Sequence, residues 1–158
     1  MASTDHNTTV ALVRRRLIDL IRAQTVGQGA NGTDVMVMDA MIADSRSTDD
    51  IHIGDVREWT QELQYSRGSD RHKRDESYTV DINIFVARQD AEEANEQALA
   101  LWDLVDGILA SHPDLQLEIP TLVVGKTREG TLNMTYDESQ RGWRSRVYQR
   151  VSVTAKIR

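Results

Sequence analysis

At 158 residues the chain has room for one domain with a real core and too little for two. Hydrophobic residues make up 39% and charged residues 28%, a globular balance, and no stretch approaches the ~20 apolar residues that a bilayer-spanning helix needs. The net charge of −6 hides an asymmetry: residues 139–158 hold six basic side chains and no acid, which leaves −12 on residues 1–138, and the absence of cysteine excludes disulfides and thiolate zinc sites.

In chain order, residues 1–7 read as a flexible tail without the basic start and apolar run of a secretion signal. Thr8 or Thr9 is placed to cap a helix running to about Gln24. Val10, Val13, Leu17, Leu20 and Ile21 fall at helical spacing and make one apolar stripe. The glycines at 27, 29 and 32 end that helix in a link. Val35, Met36, Val37 and Met38 form a short apolar run expected as a buried strand, and residues 43–50 read as loop. Ile51 and Ile53 then alternate with polar neighbours, and Gly54-Asp55 suggests a bulge or turn.

The middle of the chain predicts a long hairpin. Trp59, Leu63 and Tyr65 keep to one strand face. On the return, Tyr78, Val80, Ile82, Ile84 and Val86 share a face opposite Thr79, Asp81, Asn83 and Phe85, a half-buried strand with one wet side. Between the two lies a charged hairpin loop at 66–76 holding Arg67, Asp70, Arg71, Lys73, Arg74, Asp75 and Glu76. Hairpin turns usually need two to five residues, so a loop this long points to a contact with a partner. Strands of five or six residues are common, and one of eleven reaches roughly 36 Å, so the hairpin is expected to project from the domain.

Asp90 is positioned to cap a second helix to about Ala110, with Glu93 in the capping-box place and Ala94, Ala98, Leu101, Val105 and Ile108 as its buried stripe. Pro113 stops it. Residues 117–126 and 131–136 read as two strands around a turn at Arg128, Glu129 and Gly130. From Arg146 to Ile157 alternation returns, with Val147, Val151, Val153, Ala155 and Ile157 on one face. Trp143 and Tyr148 stand among Arg144, Arg146 and Arg150, residue types that dominate interface hot spots. The sum is one α+β domain: a mostly antiparallel sheet, both helices on one face and a long hairpin.

Chemical motifs are incomplete. Gly125-Lys126-Thr127 lacks the earlier glycine of a phosphate-binding loop, since that position is Pro120. Asp114 and Glu118 lack the strand lysine of a metal-dependent nuclease, whose place is also Pro120. Asp50, His52 and Asp55 are the remaining metal-ligand combination, weak because it holds a single histidine. No catalytic residue, metal ligand or cofactor is assigned, and the expectation is a non-enzyme.

The helix at 10–23, the hairpin at 59–87 with its charged loop, the capped helix at 90–110 and the alternating C-terminal strand together resemble the tail terminator proteins of long-tailed (siphovirus-type) bacteriophages. The resemblance spans nearly the whole chain and rests on layout. It implies a virion protein of the tail and neck that forms a ring, usually a hexamer. Such a ring caps the tail tube, ends its polymerisation and offers a surface for head joining. The implied partners are further copies of itself, the tail tube protein and the head–tail connector or stopper protein, with no specific nucleic acid and no membrane. The interface expected on this reading comprises Arg67, Asp70, Arg71, Lys73, Arg74, Trp143, Arg144, Arg146, Tyr148 and Arg150. A connector or stopper of the same particle, a small metal-dependent enzyme using Asp50, His52 and Asp55, and a nucleic-acid binder using the C-terminal arginines are the alternatives.

Overall fold

The computed structural model describes residues 8–39, 48–64, 73–119 and 121–157. Helix α1 (Val10–Gln24) leads through a short 3-10 turn to strand β1 (Met36–Met38). Strands β2 (Asp49–Gln64) and β3 (Lys73–Arg88), helix α2 (Ala91–Ser111), and strands β4 (Val123–Asp137) and β5 (Gly142–Ile157) follow. The five strands form one sheet in the order β1-β2-β3-β5-β4. All neighbours are antiparallel except β1 and β2, which run parallel. This is the α+β architecture expected.

Both helices pack on one face. Val13, Leu17 and Ile21 of α1 and Ala98, Leu101 and Val105 of α2 meet Ile51, Ile53, Val80, Ile82, Ile84, Val151 and Val153 in a single apolar core. The helix stripes and the period-2 alternation of β3 and β5 thus point to the same layer, which is why a chain with one phenylalanine still makes a continuous core. Asp90 caps α2 by accepting from the Glu92 amide, and Thr9 takes the cap position of α1, both where the sequence puts them.

Five boundaries differ from expectation, the first being that β5 begins at Gly142 and not at Arg146. Asp49 and Asp50 belong to β2, because both pair with β3, opposite Val86 and Phe85, and Asp50 also pairs with β1. Residues 117–119, 121 and 122 are not strand: the chain turns at Leu115, Gln116 and Thr121, all at positive φ, before β4 begins at Val123. Residues 128–130 are not a hairpin turn. One continuous β4 runs through them with a bulge, its partners stepping from Lys126–Val151 to Gly130–Gln149. Finally, Lys73, Arg74, Asp75 and Glu76 are strand, paired with Gln64, Leu63, Glu62 and Gln61, so the charged loop is shorter than 66–76. Arg67, Asp70 and Arg71 lie outside the described residues.

The hairpin itself is longer than expected, with two strands of 16 residues. β5 flanks β3 from Arg74–Ile157 to Arg88–Trp143, so the sheet carries the hairpin along its length. Bulges at Gly54-Asp55, as anticipated, and at Glu58-Trp59 each add one residue to β2.

Candidate interaction surface

The sheet face away from the helices is the polar one, and side chains from three strands converge on it. β3 contributes Thr79, Asp81, Asn83 and Phe85; β5 contributes Arg144, Arg146, Tyr148 and Arg150 directly across from their neighbourhood. The expected wet side of β3 is in fact buried: Asp81 and Asn83 are 3% and 2% exposed. Longer side chains from β5 and β2 lie over them. Arg146 donates to the Asn83 side-chain oxygen at 2.6 and 3.1 Å, and its guanidinium sits 5.5 Å from the centre of the Phe85 ring. Arg57 donates to Asp81 at 2.7 Å. The Tyr148 hydroxyl donates to the other Asp81 oxygen at 3.0 Å and accepts from Arg150 at 2.9 Å. Arg150 also approaches Glu58, at 3.7 Å.

Desolvation explains this arrangement. A buried carboxylate is costly unless charged donors surround it, and Asp81 has two arginines and a phenol around it. The network raises the pKa of Arg150 through its bond to Tyr148 and that of Arg57 through its bond to Asp81. Beside it, the bulges of β2 and β4 leave an open groove of about 420 Å³ lined by Glu58, Thr79, Thr127, Glu129, Thr131, Tyr148 and Arg150. Gln149 braces the β4 bulge by donating to the Thr127 carbonyl at 2.9 Å. A Cβ at Gly130 would stand 2.1 Å from the Gln149 side-chain oxygen, so a larger residue there must displace that brace.

Of the expected interface set, Arg144, Arg146, Tyr148 and Arg150 share this open face, each half-buried. Trp143 points to the helix side, where its ring meets Tyr136 edge-on at 5.2 Å. Arg74 is half-buried within β3, and Lys73 opens that strand.

The metal combination comes together only in part. His52 and Asp50 are buried side by side, Nε2 to Oδ2 3.7 Å. Asp55 is exposed in the bulge and lies 3.7 Å from Arg57. Among the described residues no group of three or more metal-ligating side chains forms. Burial lowers the His52 pKa, outweighing the opposing pull of Asp50, so the ring is neutral at neutral pH.

Sequence reasoning missed Glu76. Assigned to the charged hairpin loop, it is 1% exposed and sits at the start of α1. The Thr9 amide and hydroxyl donate to one of its oxygens at 2.7 and 2.6 Å, and Trp59 and Gln61 donate to the other at 2.8 Å each. Burial pushes its pKa up, but these bonds and one from Thr8 hold it below the ordinary value. A carboxylate at a helix N-terminus also suits the helix dipole. No local pattern announces this, because the partners are 67 residues apart.

A chain of a solved assembly described as the virion of a native gene transfer agent (GTA) particle has this fold. The two superpose with a TM-score of 0.50 at 16% identity, over 95% of this chain and 100% of that one. No family model and no curated protein matches the chain.

Proposed function

We propose that this chain is a structural protein of a phage-like particle and serves as its tail terminator: a ring, hexameric on the family pattern, that caps the tail tube and presents the head-joining surface. The observation that carries the reading is the fold shared end to end with a chain of the gene transfer agent virion, together with the layout resemblance of the sequence. On this reading the protein works by binding and not by chemistry. Its localisation is the virion, and its partners are further copies, the tube protein and the connector or stopper.

The open sheet face suits a docking role. Arg146, Tyr148 and Arg150 are already ordered by Asp81 and Asn83, so little of their side-chain freedom remains to be lost on binding. The loop residues Arg67, Asp70 and Arg71, with Lys73 and Arg74 at the head of β3, extend the same proposal to the hairpin tip. Replacing Arg71, Lys73 and Arg74 with Ala should weaken docking or ring formation while the monomer stays folded; an unchanged assembly state removes the tip from the interface.

Gene deletion in the producing strain tests the function. Overlong tails mark a terminator. Normal tails that fail to join heads mark a connector or stopper of the same particle, the runner-up, and particles of normal form and joining sink both.

A further inference from the structure

The two flanks of the molecule are opposite in charge. α1 carries Arg14, Arg15, Arg16 and Arg22 against Asp19 alone. Arg14 donates to the Ile53 and Gly54 carbonyls and Arg22 to the Val37 carbonyl, so this side of α1 overhangs β1 and β2. Arg15 and Arg22, seven residues apart and both exposed, share that stripe. α2, in contrast, has five acids and no basic residue. Its Asn95 meets Ser145 at 2.8 Å and its Asp106 meets Lys126 at 3.4 Å, which lays that side of the helix along β5 and β4. Glu92, Glu96 and Asp103 are exposed one step outward, at spacings of four and seven.

Both flanks also expose apolar side chains and open strand edges. Leu99, Val123, Leu132, Met134 and Tyr136 are exposed on the α2–β4 side, and Met36 and Trp59 on the β1–β2 side; of the large exposed hydrophobics described, only Val26 lies elsewhere. The outer edge of β4 has no neighbouring strand among the described residues, and neither has β2 beyond its three pairs with β1. Residues 130–136 carry no charge and no proline, the usual guards of a free edge. Alternation of strand direction brings β4 antiparallel to the β2 of a following copy. Counted across the sheet, Val123 is level with Thr60, and Asn133 is level with Asp50 and Met36. A neighbour seated without a shift therefore brings Val123 level with Thr60 on the same sheet face, and the 132–134 stretch of β4 level with β1.

We propose that copies of this chain join head to tail, the acidic α2–β4 flank of one against the basic α1–β1–β2 flank of the next. Two different patches make a heterologous contact, which closes into a ring when the rotation allows. The proposal rests on the ring reading and names its interface.

Charge reversal with rescue tests it. In native mass spectrometry at low salt the wild type forms oligomers. Glu96→Arg with Asp103→Arg, or Arg15→Glu alone, raises the concentration needed by about tenfold or more. An equimolar mixture of the two variants assembles with the two alternating, because both their altered and their native flanks match, and the chain carrying all three changes regains rings. Because the protein has no cysteine, Val123→Cys and Thr60→Cys can also be cross-linked. Each alone stays uncross-linked, and the double variant gives a ladder. A wild type that is monomeric with tube protein present sinks the ring reading and this one together. Oligomers indifferent to the charge changes, or Val123→Cys cross-linking to itself, overturn the head-to-tail interface and leave the ring standing.

Discussion

The β2–β3 and β4–β5 hairpins have strands of nearly equal length and opposite fates. β2–β3 holds the densest charge in the chain, yet its outer end is stitched into the body: β5 pairs with β3 as far as Arg74, and the Glu76 carboxylate anchors the start of α1. β4–β5 looks unremarkable as text, yet residues 129–136 of β4 are exposed along a free edge. Charge density shows where a strand is not apolar. It does not show where a strand is free, because buried charges are tolerated once enough donors reach them.

The largest expected effect comes from breaking the anchored side. Glu76→Ala strands the donors of Thr9, Trp59 and Gln61 and should cost about 3 kcal/mol or more, read by urea denaturation. The same residue sets a pH limb. Its folded pKa lies below its unfolded one, so its contribution is present above the ordinary glutamate value of 4.5 and is lost as pH falls through the lowered value. Glu76→Gln should flatten that limb. His52, also depressed, adds loss beginning nearer 6.5, which His52→Gln should remove.

Next in size is the brace of the β4 bulge. Gly130→Ala drives the Gln149 side chain off Thr127 and should cost about 1–2 kcal/mol, a thermal shift of a few degrees. Tyr148→Phe removes the hydroxyl between Asp81 and Arg150 for about 1 kcal/mol, and by loosening the arginines it should weaken docking more than folding. The smallest effect sharpens the contrast. Leu132→Ser with Met134→Ser should change monomer stability by only about 0.5 kcal/mol, since both are exposed, while assembly falls sharply. A large loss of monomer stability would mean that this edge belongs to the core.

Much of the fold was legible. The stripes of α1 and α2, the alternation of β3 and β5, the Asp90 cap and the Gly54 bulge are local patterns with periods of 3.6 or 2, or single residues with special backbone roles. The candidate surface was legible in part: Arg144, Arg146, Tyr148 and Arg150 sit together because alternate strand residues share a face. Trp143 separates from them by the same rule, being one residue out of phase. The burial of Asp81 and Asn83 was not legible, because the side chains covering them belong to other strands. Nor was the continuity of β4 through Arg128, Glu129 and Gly130, where a turn and a two-residue bulge use the same residues.

The sequence by itself determined the class of fold, the core stripes and the charge split between chain segments, since these depend on near neighbours along the chain. Only tertiary structure decided which charges are buried, that Glu76 serves a helix 67 residues away, and that the basic and acidic helices flank opposite edges of one sheet. Those outcomes depend on strand order and register, which arise from pairings between distant segments and leave no trace in local periodicity.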